Sequence, residues 1–201
     1  MNIDSNPVGR LRERLREETA SVILAAAEQV IGEDGLHAAR MERIAARAGV
    51  SVGTVYNYFA DRAALVQSLF DSRAAGMQEH LDRALAAVQG LPAPAQVEAI
   101  LAGMAEHARS HGPFFAALMS EHMGPARLRP PTFAREVLQR RTNELVARAV
   151  AAGEFRDDSD GLFAEALVAI ARLVLTRTVE GKLGPRDVPA LAELYVRGVA
   201  R

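Results

Sequence analysis

The chain has no cysteine among its 201 residues. Disulfides and thiolate metal sites are therefore excluded, and a reducing compartment suits the protein without being required by it. Lysine is nearly missing as well. Lys182 is the single one, so arginine supplies every other member of the 24 Lys and Arg residues. Set against 25 Asp and Glu, these leave a net charge of −1. General attraction to a polyanion is thereby excluded, and any binding to nucleic acid must come from local placement of charge. Long apolar runs are also lacking. No stretch approaches the ~20 residues of a membrane span, and the first residues hold no apolar export core. The expected location is cytoplasmic. No HExxH motif, phosphate-binding loop or nucleophile with a paired base is present, so no cofactor is expected and an enzyme is not indicated.

What is present is helical periodicity, interrupted by most of the nine prolines and fifteen glycines. The expected fold is all-α. Residues 1–9 read as an arm and Arg10 to Ile31 as a first helix, with Leu15, Val22, Ile23, Ala26, Ala27 and Val30 as its buried stripe. Two short helices follow. Asp61 then caps a long helix to about Val88, with Leu65, Leu69, Phe70, Met77, Leu81 and Leu85 on its apolar side. Further helices are expected over Gln96 to Ser110, Phe114 to His122, Thr132 to Ala152, Gly161 to Gly181 and Asp187 to Ala200. The division that follows is a three-helix domain at 1–60 and a helical bundle at 61–201.

Met41 to Phe59 is the most informative stretch. Met41, Ile44, Ala45 and Ala48 repeat at helical spacing. Gly49 suits the left-handed backbone just past a helix, and Ser51 suits the N-cap of the next. Small Ala45 and Gly49 let two helices cross closely, as a helix-turn-helix requires. The second helix buries Val55 and Phe59, which leaves Thr54, Tyr56, Asn57 and Tyr58 for other work. Such a unit places its second helix in the DNA major groove. The plainer alternative is an ordinary pair of core helices.

Residues 10 to 70 resemble the TetR (tetracycline-repressor-like) family of transcriptional regulators. The resemblance rests on Ile44-Ala45, Ala48-Gly49-Val50-Ser51, Gly53, Tyr56-Asn57-Tyr58-Phe59 and Leu65. It implies an N-terminal three-helix DNA-binding domain and a C-terminal helical bundle for ligand binding and dimerisation. It further implies a homodimeric repressor on a palindromic double-stranded DNA operator, released by a small-molecule effector. By position, Ser51, Thr54, Tyr56, Asn57 and Tyr58 are carried over as DNA-facing. Tyr56 and Tyr58 are expected at phosphates, and Asn57 at an adenine edge. Arg62 stands where the family often has a lysine and is expected to clamp a phosphate. Arg40 begins the first helix of the motif where Thr or Ser is common. Val52 replaces a frequent lysine and offers methyls in place of a charge, while Ala39 replaces a usual capping Thr at a cost of ~1 kcal/mol. Arg10 and Arg14 share a face of the first helix and are the expected phosphate or minor-groove contacts of that segment. The alternative is that Arg10, Arg12, Arg14 and Arg16 pair with Glu13, Glu17 and Glu18.

In the bundle, Met77, Leu81, Met104, Phe114, Phe115, Leu118, Met119, Phe133, Leu138, Phe163, Leu167 and Ile170 collectively suit an adaptable apolar cavity, though each taken singly suits a plain bundle core. His107 and His122, with Glu121 and Arg109, are the polar candidates beside them. A mostly apolar ligand is expected. His107 and His111, with Glu106 or His122, form the weaker alternative of a metal site and, through it, a metal-dependent enzyme. The last two helices are apolar on more than one face. Leu173, Val174, Leu191, Leu194, Tyr195 and Val199 are the expected dimer contacts. A ligand-independent or protein-responsive DNA-binding regulator is the other reading, and it would show a filled bundle.

Overall fold

A computed structural model describes the backbone over residues 7–122 and 132–200, and the side chains over 9–119 and 136–200. Among the described residues the regular structure is nine helices: α1 (Pro7–Asp34), α2 (Met41–Ala48), α3 (Val52–Tyr58), α4 (Arg62–Ala87), α5 (Ala93–Ser110), α6 (Gly112–His122), α7 (Thr132–Ala151), α8 (Leu162–Val179) and α9 (Asp187–Val199). The all-α expectation holds. One isolated antiparallel bridge joins Phe155 to Ala200, after α7 and after α9.

The chain divides into two units, Met1–Leu69 and Phe70–Arg201. The division falls nine residues beyond the 60/61 boundary read from sequence, inside α4. The reason is burial: Leu65 and Leu69 on the first turns of α4 are 0% exposed, in the unit that holds α1 to α3. That unit is assembled around Ile23, Ala27, Val30, Ile31, Leu36, Ile44 and Val55, all essentially buried. Fully burying one of these Val, Leu or Ile side chains contributes about 1.5–3 kcal/mol. Four of the six residues expected in the α1 stripe are buried. Leu15 and Val22 are 53% and 51% exposed, and the buried face of α1 runs through Ile23, Ala26, Ala27, Val30 and Ile31.

The second unit is built on α5, which packs against α7, α8 and α9. Leu81, Val97, Ile100, Leu101, Leu145, Leu167, Ala171 and Val174 form its centre. The start of α5 has no local side-chain cap. Instead, the Glu154 carboxylate accepts from the Ala93 N–H at 2.7 Å and so ties the end of α7 to α5. Tyr195 on α9 donates its hydroxyl to the Phe163 carbonyl at 3.0 Å, and burial pushes the phenol pKa up.

Candidate nucleic-acid interface

The interface begins with two capping choices. Gly49 ends α2 at φ +70°, donating its N–H toward Ala45 and Ala46, and Val50 donates to Ala45 at 3.0 Å. A side chain here would face strained backbone, so glycine is the natural residue. Ser51 then opens α3: its hydroxyl oxygen accepts from the Thr54 N–H at 3.0 Å and lies 2.8 Å from the Thr54 hydroxyl. The two helices cross with Met41, Ile44, Ala45 and Val55 buried between them and α1.

That burial decides what α3 presents outward. Tyr56 is 48% exposed, and Asn57 and Ser51 are exposed too. Val52, Thr54 and Tyr58 are half-buried at the rim. The surface thus offers a phenol hydroxyl, an amide with paired donor and acceptor, aliphatic methyls and hydroxyls. These are the groups that read base edges and bind phosphate oxygens. Arg40, exposed, is the N-cap of α2 and makes no capping bond with its side chain. The cap position is therefore Arg40 rather than Ala39, and it is as poorly capped as the sequence suggested.

Cation placement sorts the arginines. Arg43 and Arg47 are spent on α1: Arg47 bonds Glu33 at 2.7 Å and Gln29 at 3.1 Å, and Arg43 pairs with Glu33 and Asp34. The Arg47 hydrogen bond is the main reason that the Glu33 carboxyl pKa is lowered. These pairs fasten α2 to α1. Arg10 and Arg14 are exposed on the first turns of α1. Arg16, which the sequence gave no special place, lies over the Tyr58 ring, its Cζ 5.6 Å from the ring centre. It lines a cleft of about 280 Å³ with Glu13, Glu17, Ala20, Tyr58 and Phe59. A contact so distant in sequence leaves no local periodic signal.

Arg62 requires a correction. It does not extend outward as a phosphate clamp. Its Nε–H donates to the Ala39 carbonyl at 2.8 Å and its Nη2 donates to the Leu36 carbonyl, both on the corner between α1 and α2.

In the second unit the expected ligand residues fall into two groups. Met77, Leu81, Met104, Leu138 and Leu167 belong to the packed core, with Phe163 and Ile170 packed against it. Phe114 and Phe115 form an aromatic group with Phe70 and His107, at ring separations of 5.5 to 5.7 Å. Leu118 and Met119 are half-buried on α6, and the side chains of Glu121, His122 and Phe133 lie outside the described residues. His107 is 1% exposed, and its Nδ1 has no hydrogen-bond partner among the described residues. Its pKa is lowered to about 3, first by burial and then by His111, His80 and Arg73. Arg109 and Glu106 pair with each other at the surface. Among the described residues no three His, Asp or Glu side chains are grouped to hold a metal, and the side chain of His122 lies outside them. A second cleft, about 480 Å³, is lined by Asn143, Val146, Val150, Asp157, Asp158 and Ala164 rather than by the expected set.

The expected dimer residues also separate. Val174, Tyr195 and Val199 are buried within their own unit, because α8 and α9 both pack on α5. Leu173 and Leu194 are 45% and 67% exposed, Leu162 is 62% exposed, and Leu191 is half-buried. No described helix is long and apolar enough to cross a membrane.

Residues 23–69 match the family model for bacterial regulatory proteins of the tetR family. The fatty acid metabolism regulator protein of Bacillus subtilis is 37% identical over 60 residues, which is 30% of this chain and 31% of that protein. Among solved structures, a fatty acid degradation regulator from Bacillus halodurans matches with TM-score 0.65 at 22% identity, covering 88% of this chain and 95% of the other. A TetR-family regulator from Haemophilus influenzae matches with TM-score 0.73 at 16% identity, covering 93% and 99%. At those identities the structures show a shared fold and nothing finer.

Proposed function

We propose that the chain is a TetR-family DNA-binding transcriptional regulator that acts as a homodimeric repressor on a palindromic operator, released by a mostly apolar small molecule; the family match over residues 23–69 supports the DNA-binding part. The observation that carries the DNA half of this reading is the capped α3, with Tyr56 and Asn57 exposed while Val55 and Phe59 are buried. Arg16 lies over Tyr58 of this helix, and the exposed Arg10, Arg14 and Arg40 are further cations that this reading assigns to phosphates, while Val52 offers methyls to a thymine.

Dimerisation is supported by a stripe at helical spacing. Leu162, Ala166, Ala169 and Leu173 run along α8, and Ala190, Leu194 and Gly198 along α9, none of them buried. Small residues flanking exposed leucines suit close helix packing against a second copy. The effector would bind near the aromatic group of Phe70, Phe114 and Phe115 with His107, where an apolar wall meets a buried imidazole. Two of the similar proteins regulate fatty acid metabolism or degradation, which makes acyl compounds the first effector class to try. Ligand would act by population shift, with α4 as the element common to both units.

Selection of bound sequences from a random DNA pool, followed by gel shift on the winner, tests the reading. A two-fold symmetric site is expected, with binding weakened by a saturating acyl thioester or free fatty acid. Recovery of no preferred sequence would contradict the operator reading. Unchanged affinity with both acyl probes would remove that effector class.

A further inference from the structure

Arg62 is the first residue of α4, yet its side chain turns back onto the corner where α2 begins. Two donors of its planar fork reach two carbonyls, Nε to Ala39 and Nη2 to Leu36. Leu36 and Ala39 are 2% and 1% exposed. Buried carbonyls need a donor, and a charged donor makes the stronger bond.

The other end of this link is firmly held. Asp61 caps α4 through the Ala64 N–H at 2.7 Å, and Leu65 and Leu69 are fully buried. The guanidinium therefore joins a fixed α4 start to the corner from which α2 departs, and α2 leads through the Gly49 turn into α3. We propose that Arg62 is a positioning residue for operator recognition: it sets the α2–α3 pair against the first turn of α4 without itself contacting DNA. The inference rests on the DNA-binding reading above and adds a specific lever to it.

Lysine separates the two roles that Arg62 could play. A phosphate clamp needs only a positive charge, which lysine keeps. A fork onto two carbonyls needs planar, divergent donors, which lysine lacks. The test uses full-length wild type, Arg62→Lys and Arg62→Ala, each titrated onto the selected operator and onto random DNA across a salt series. Circular dichroism confirms that the helices are intact. Both variants are expected to lose about tenfold in operator affinity while random-DNA affinity changes little, with an unchanged slope of log K against log salt. A variant that merely destabilised the fold would lower both affinities together. Should Arg62→Ala fail to fold, Arg62→Lys carries the comparison alone.

Near-wild-type operator binding by Arg62→Lys would overturn the proposal. So would an Arg62→Ala salt slope shallower by about one, which is the signature of a lost phosphate contact. Wild type that prefers no DNA sequence would instead sink the DNA-binding reading, so the two failures are distinguishable.

Discussion

His107 makes a residue-scale prediction that needs no ligand or partner. Its folded pKa lies near 3 against an ordinary 6.5, so between those values the unfolded chain binds a proton that the folded chain refuses. Its contribution to stability is therefore complete above pH 6.5 and falls as the pH drops. The slope approaches about 1.4 kcal/mol per pH unit within that window. Urea unfolding of wild type and His107→Leu below pH 6.5 checks this, and the difference between the two curves should follow that slope. Parallel curves would mean that the imidazole is not the group responsible. On α3, Asn57→Ala is expected to erase about 1–3 kcal/mol of discrimination at one base pair while sparing the others, read by competition among single-base operator variants. The exposure of Asn57 was legible in the sequence, since Val55 and Phe59 set the buried face of α3. Arg62 was not legible in the same way. Its charge was visible, but its acceptors are backbone carbonyls of Leu36 and Ala39, which carry no sequence signal.

At the scale of elements, local chemistry accounts for where helices begin and end. Gly49→Ala meets no atom within 4 Å, so its cost is backbone strain alone, about 1–2 kcal/mol for a left-handed alanine. Ser51→Ala removes the α3 cap and should cost ~1 kcal/mol. Thermal unfolding of the two variants measures both, and a neutral Gly49→Ala would show that the α2–α3 corner is not held as described. These caps are why α2, α3 and the start of α4 could be read from sequence to within a residue or two. Long-range devices left no such trace. The Glu154 cap of α5 and the Phe155–Ala200 bridge join segments whose proximity only the fold creates. Periodicity also misled in two places. Leu15 and Val22 keep the apolar rhythm of α1 but are exposed, whereas Val174, Tyr195 and Val199, read as surplus apolar surface, are consumed by the core around α5.

For the whole molecule, the exposed leucines of α8 and α9, Leu162, Leu173 and Leu194, are the surface on which the proposal of a second copy of the chain as partner rests. A dimer would present two α3 helices to DNA one or more helical turns apart, ~34 Å per turn. Leu173→Glu with Leu194→Glu should yield a folded monomer by light scattering. Its operator affinity should fall steeply, because each head alone binds only a half-site. A dimer that persisted in this variant would place the interface elsewhere. A paired reader is the central proposal, so the most direct measurement is the mass of the complex that wild type forms on its selected DNA. Two copies on a two-fold symmetric site are predicted. One copy, bound at full affinity to a site without symmetry, would contradict the account.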